Sequence, residues 1–185
     1  REGRAPLPCA AAGGVRSVLA DLGVLCAGGV SNGIYPTDAP TQVQYLGADS
    51  STTVLFVEDD EQLDKVLQVR AELPLLKKIV VFDTEGLRRF HDPMVMSLAQ
   101  LREQGAAHDR AHPGLFDERV RAVQATDLAI LIYTSGTTGR PKGVVYSHRS
   151  TILHTLVASL GDFWGLRGTD VVLPVTPMFH ANSWG

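Results

Sequence analysis

The sequence predicts an α/β fold with a mainly parallel sheet and flanking helices. Three observations predict it. The runs Thr53–Val57, Lys78–Phe82 and Leu128–Tyr133 are continuously apolar over strand length, the pattern of strands buried on both faces. Stretches with apolar residues at helical spacing alternate with them, as expected of strand–helix–strand units. At 185 residues, with 44% hydrophobic and 20% charged residues, the chain can bury one real core.

Taken in order, residues 1–14 are rich in Arg, Pro, Ala and Gly, show no period, and read as a lead-in without regular structure. Val15 to Cys26 carries a helical stripe at Val15, Val18, Leu19, Leu22 and Leu25, and Gly28-Gly29 ends it. Gly33-Ile34-Tyr35-Pro36 reads as a short strand closed by a proline turn. After the Thr53–Val57 strand come Glu58, Asp59, Asp60 and Glu61. Four acids suit a metal site or the first turn of a helix, whose dipole favours negative charge. Leu63, Val66 and Leu67 continue at helical spacing and favour the helix.

Val95 to Gln104 is a further expected helix. His108 and His112 are four apart, but Pro113 restrains His112 and no third ligand is near, so a solvated loop is expected there. Val144–Tyr146 reads as a strand and Ser147–Leu160 as a helix, with Ile152, Leu153, Leu156, Val157 and Leu160 as its stripe. Asp170–Val175 reads as a last strand.

Composition excludes several classes. The net charge of −3, without a basic run, argues against a nucleic-acid surface. Two cysteines, Cys9 and Cys26, make neither a disulfide framework nor a zinc spacing, and suit a reduced, cytoplasmic setting. No apolar run reaches the roughly 18–20 residues of a membrane span. Arg1, Arg4 and Arg16 before an apolar stretch raise a signal peptide, which Asp21 interrupts. The chain starts at Arg1 and stops at Ser183-Trp184-Gly185 without a polar tail, so it reads as a piece of a longer protein, cut at both ends.

The chemistry is concentrated in Tyr133-Thr134-Ser135-Gly136-Thr137-Thr138-Gly139-Arg140-Pro141-Lys142-Gly143, directly after a buried strand. Glycines let the backbone approach an anion, and successive N–H groups can form an anion-binding concavity. The hydroxyls of Thr134, Ser135, Thr137 and Thr138 add donors, or oxygen ligands for a hard cation, and Lys142 adds a positive charge. A handful of charge-assisted hydrogen bonds, each worth about 1.5–3 kcal/mol, holds a triphosphate. The spacing is not that of the common P-loop. That motif needs a glycine at the position of Pro141 counted from Gly136 and a Ser or Thr after its lysine, and here Lys142 is followed by Gly143.

This segment resembles the signature of the AMP-binding, adenylate-forming superfamily, which includes acyl-CoA synthetases, luciferases and peptide-synthetase adenylation domains. Ala27–Thr37 and Pro177–Gly185 further resemble its fatty-acyl-CoA synthetase branch. The resemblance covers residues 15–185 and implies part of the large N-terminal domain of such an enzyme. It implies ATP and Mg²⁺ as cofactors, and a fatty acid and coenzyme A as substrates. It assigns phosphate binding to Thr134, Ser135, Gly136, Thr137, Thr138, Gly139 and Lys142, and Mg²⁺ ligation to Thr134. His180 would line the junction of the acyl and nucleotide sites, and Trp184 would gate the acyl tunnel. The family's acidic Mg²⁺ ligand, its ribose-binding aspartate and its C-terminal lysine would follow Gly185, so the chain alone is expected to be inactive. Other adenylate formers, acting on aryl acids or within peptide synthetases, and a non-catalytic nucleotide-binding module are alternative readings. A homodimer and peripheral membrane attachment of the full-length enzyme are compatible with the resemblance.

Overall fold

The computed structural model describes residues 15–134, 139–171 and 173, and the backbone alone of residues 6–10. The described strands form one sheet: β1 (Pro6–Ala10), β2 (Val30–Gly33), β3 (Val54–Val57), β4 (Lys78–Val81), β5 (Val95–Ser97), β6 (Leu128–Thr134) and β7 (Lys142–Ser147). Their order across the sheet is β5-β4-β3-β1-β2-β6-β7. Every pairing is parallel except β6 with β7, which is antiparallel. The α/β class with a mainly parallel sheet is therefore as the apolar runs imply.

The pleat divides the core in two. Leu55, Val57, Ile79 and Val81 point to one face, where they pack with Ile34, with Val43 and Leu46 of α2 (Pro40–Asp49), and with Leu63, Val66 and Val69 of α3 (Asp60–Val69). Phe56, Val80 and Phe82 point to the other face, against Ala20 and Val24 of α1 (Val15–Cys26), with Leu98 and Leu101 of α4 (Leu98–Ala111) at the margin. One alternating strand thus feeds two hydrophobic layers, and each fully buried Leu, Ile or Val contributes about 1.5–3 kcal/mol. The connections explain the layering. From β2 to β3 and from β3 to β4 the chain moves one way across the sheet; from β1 to β2 it moves the other way. Right-handed crossovers then place α2 and α3 opposite α1.

Helix ends follow local chemistry. Asp59 caps α3 by accepting from the Gln62 N–H at 3.0 Å, so the Glu58–Glu61 acids are a helix start, as the stripe beyond them suggests. After α1, Gly29 N–H bonds Val24 O at 2.8 Å and Gly28 N–H bonds Leu25 O at 2.9 Å, closing the helix in a Schellman arrangement.

Several expectations are corrected. Residues 6–10, read as part of an irregular lead-in, form β1 between β2 and β3. Pro6 and Pro8 hide it, because proline cannot donate to a ladder and argues against a central strand. The short strand expected at Gly33–Pro36 lies earlier, at Val30–Gly33; Ile34 is buried in the core just beyond it. Val95–Gln104 is not one helix: Val95–Ser97 pairs with β4, and Ser97 then caps α4 by accepting from the Gln100 N–H at 3.1 Å. The helix runs on to Ala111, so His108 is helical and His112 is its cap rather than a loop residue. Their rings stack with centroids 4.3 Å apart. A further helix, α5 (Leu115–Ala122), follows. Asp170, Val171 and Leu173 belong to no strand, and the rest of the expected Asp170–Val175 strand lies outside the described residues.

The expected last helix is α6 (His148–Ala158), capped by Ser147, which accepts from the Ser150 N–H at 3.2 Å. Its stripe is present but open: Ile152, Leu153, Leu156 and Val157 are each 53–60% exposed. No helix among the described residues is long and apolar enough to cross a membrane.

Asp21 lies on α1 against the sheet. Burial pushes its carboxyl above the ordinary value, and a hydrogen bond with Ser31 opposes this in part. A carboxyl whose folded-state pKa is raised destabilises the fold at pH values above that pKa, and the penalty vanishes once both states are protonated. Asp21→Asn is therefore expected to raise the melting temperature at pH 7–8. The gain should shrink as pH falls through the raised pKa and be lost below the ordinary value of 3.8. Thermal melts across that range check it; a gain that persists at low pH contradicts it.

Candidate functional site

The loop begins where β6 ends. Thr134 is the last residue of β6 and Lys142 the first of β7, and the hairpin pairs them directly across the ladder. The Thr134 hydroxyl donates to Lys142 O at 3.4 Å. Both side chains are exposed at the mouth of the turn, and Lys142 forms no ion pair with a described residue. Ser135, Gly136, Thr137 and Thr138 lie outside the described residues, as do His180 and Trp184. Of the residues singled out in the sequence, the structure therefore brings together Thr134 and Lys142, with Gly139 also among the described residues.

Two glycines of the segment have a visible structural task. Gly139 has φ +110°, a backbone region that L side chains rarely adopt. Gly143 faces Tyr133 across the hairpin, and a Cβ there would lie 2.9 Å from Leu131 Cδ1 and 3.5 Å from the Tyr133 ring. The close approach is to the Leu131 side chain, while the Tyr133 ring would be in ordinary contact.

Helix α2 holds both stems of the loop. Before the loop, the Tyr133 hydroxyl donates to Asp49 Oδ2 at 2.6 Å. Burial first, and the Asp49 carboxylate second, push the Tyr133 phenol well above its ordinary pKa, so it remains a donor. After the loop, the Tyr45 hydroxyl donates to Pro141 O at 2.9 Å, and the Arg140 guanidinium sits over the Tyr45 ring, 5.0 Å from its centroid. The two rings meet edge to face with centroids 6.4 Å apart. Each of these contacts is worth about 0.5–1.5 kcal/mol.

The helix is itself anchored. Val43, Leu46 and Gly47 are buried, Pro40 stands in its first turn, and the Gln42 side chain accepts from the Ala39 N–H at 3.2 Å. At its far end the buried Ser50 hydroxyl bonds Leu46 O at 2.6 Å and meets the Thr52 hydroxyl at 2.8 Å. Lys65 of α3 donates to Pro36 O at 2.6 Å and fixes the turn that leads into it.

Sequence reasoning missed α2, and with it Tyr45 and Asp49. The signals were present. Proline in a first turn followed by Val43 and Leu46 is a helix start, and an aspartate at a helix C-terminus opposes the dipole and calls for a partner.

No group of three or more His, Cys, Asp or Glu that could hold a metal occurs among the described residues. The Thr134 hydroxyl is exposed and keeps free acceptor capacity, so it fits as one oxygen ligand of a hard cation.

Comparison with known proteins agrees with this architecture. Residues 11–185 match the family described as "AMP-binding enzyme", and the chain belongs to that family. It is 37% identical over 157 residues to the long-chain-fatty-acid–CoA ligase of Thermus thermophilus, covering 85% of this chain and 26% of that protein. It is 34% identical over 159 residues to the medium-chain-fatty-acid–CoA ligase of Ectopseudomonas oleovorans, covering 86% and 28%. The chain thus spans about a quarter of the length of these relatives. Among solved structures, a long-chain-fatty-acid–CoA ligase from Archaeoglobus fulgidus superposes with a TM-score of 0.70 at 18% identity, over 98% of this chain and 33% of that one. An anthranilate CoA ligase in complex with anthranoyl-AMP superposes with a TM-score of 0.63 at 21% identity, over 84% and 27%. These two likenesses share the fold.

Gly143→Ala is expected to destabilise the chain by about 1 kcal/mol, because the new methyl must displace the buried Leu131 side chain. Denaturant unfolding checks it. A variant as stable as the parent would contradict the close packing across this hairpin.

Proposed function

We propose that this chain carries the phosphate-gripping part of an enzyme that activates a fatty acid with ATP and transfers the acyl group to coenzyme A. The single observation that carries the reading is the hairpin that sets Thr134 opposite Lys142 at the mouth of a glycine- and hydroxyl-rich loop. The relatives named as fatty-acid–CoA ligases support the substrate class.

In the first step a carboxylate oxygen attacks the α-phosphorus of ATP. The new P–O bond forms as the bond to the bridging oxygen breaks, and pyrophosphate leaves with the electron pair. In the second step the coenzyme A sulfur attacks the acyl carbon, the thiol proton is released and AMP departs. The loop's task lies in the first step, where charge builds on the leaving phosphates. Lys142 and the loop's N–H groups neutralise that charge, and fixed positioning does most of the rest. Mg²⁺, when bound with the nucleotide, adds charge neutralisation at the phosphate oxygens, with Thr134 as one ligand. Ser135, Gly136, Thr137, Thr138 and Gly139 belong to the same cradle in this reading. His180 would stand where the acyl and nucleotide sites meet, and Trp184 would close the acyl channel.

An aryl acid is the second reading, because a fold neighbour is an anthranilate CoA ligase. A non-catalytic nucleotide-binding module is the third. One experiment separates them: acid-dependent ATP–pyrophosphate exchange by the protein of the full reading frame that carries this chain. Exchange driven by fatty acids is expected, and Lys142→Ala should slow it by about 10²–10³-fold. Exchange driven by aryl acids alone supports the second reading. No exchange with any acid, despite nucleotide binding, supports the third.

A further inference from the structure

We infer that Tyr45 and Asp49 of α2 are positioning residues for ATP, acting through the two stems of the phosphate loop. This rests on the reading of Tyr133–Gly143 as that loop, and extends it to a helix about ninety residues earlier in the chain.

Tyr45 and Asp49 are four apart on α2, so they project from one face of the helix. Asp49 accepts from Tyr133, the residue before Thr134; Tyr45 donates to Pro141 O, the residue before Lys142. Each of the two stem residues assigned to the phosphates, Thr134 and Lys142, is therefore next to a residue held by the same helix. Helix and hairpin are not neighbours in sequence, and only tertiary packing joins them.

A generic stabilising role accounts less well for the choice of groups. A carboxylate at the end of a helix with no basic residue in its last turn is unfavourable for the helix itself. Its partner is a tyrosine at the loop's entrance. The bond from Tyr45 goes to the loop backbone rather than to a side chain, so it sets the path of the chain into Lys142. With both stems held, the spacing between Thr134 and Lys142 is fixed before nucleotide arrives, and binding need not supply the ordering. Arg140 over the Tyr45 ring holds a second cation at the loop's exit, where its charge adds to that of Lys142.

The test uses Tyr45→Phe and Asp49→Ala in the protein of the full reading frame. Tyr45→Phe keeps the ring and loses only the bond to Pro141; Asp49→Ala removes an exposed carboxylate. Steady-state KM values for ATP, fatty acid and coenzyme A are measured with melting temperatures. Each variant is expected to raise the KM for ATP several-fold, and the double variant about tenfold or more. The KM values for fatty acid and coenzyme A should stay within about twofold. Lys142→Ala is run beside them. If it abolishes activity while the α2 variants leave the KM for ATP unchanged, the inference is overturned and the loop reading stands. If the α2 variants lower the melting temperature and affect all three substrates equally, their role is structural and the inference is again overturned. If Lys142→Ala retains full activity, the loop reading falls and the inference falls with it.

Discussion

The candidate site depends on a pair of phenol hydrogen bonds. Tyr133 donates to Asp49 and Tyr45 donates to Pro141, so one helix grips the chain on both sides of a glycine-rich turn. Glycine and small hydroxyl residues bury almost no apolar surface and lose much entropy on ordering, so a segment of that composition relies on what holds its ends. One stem is β6, held in the sheet; the other is β7, which pairs only with β6 among the described strands. The contacts from α2 supply what the antiparallel ladder alone does not: a fixed position of the hairpin over the core.

That position follows from the sheet. Strands β3 and β4 bury both faces, and the helices on one face, α2 and α3, are locked by Val43, Leu46, Leu63 and Val66. The turn into α2 is tied to α3 through Lys65, and the end of α2 is closed by Ser50 and Thr52. The grip on the loop is thus continuous with the core. It links apolar packing, which is strong and non-directional, to a few hydrogen bonds, which are weak and directional. Packing provides stability and the hydrogen bonds provide register. Gly143 shows the same economy, because a side chain there would meet Leu131 of the neighbouring strand at 2.9 Å.

Much of this was legible in the sequence, for physical reasons. α1, β3, α3 and β4 each carry a strong period or an unbroken apolar run, and Tyr133–Gly143 stands out by its chemistry. β1 was illegible because Pro6 and Pro8 contradict strand chemistry while tertiary pairing overrides it. α2 was illegible because Gln42, Gln44 and Gly47 dilute its stripe; its role lies in two polar side chains that mean nothing until the fold brings them to residues 133–141. β5 and the length of α4 were missed at one point: Ser97, a cap, divides what reads as a single helix. The stripe of α6 was read correctly as helical, yet Ile152, Leu153, Leu156 and Val157 stand open to solvent, so a period identifies a helix without saying what covers it.

In this reading the order of the loop's second stem rests on α2 through the bond from Tyr45 to Pro141 O. Amide hydrogen exchange of the segment from Gly139 to Ser147, compared between the parent protein and Tyr45→Phe without nucleotide, tests it most directly. The account expects faster exchange at Gly139–Gly143 in the variant, with protection of β3 and β4 unchanged. Equal exchange in both proteins would contradict it.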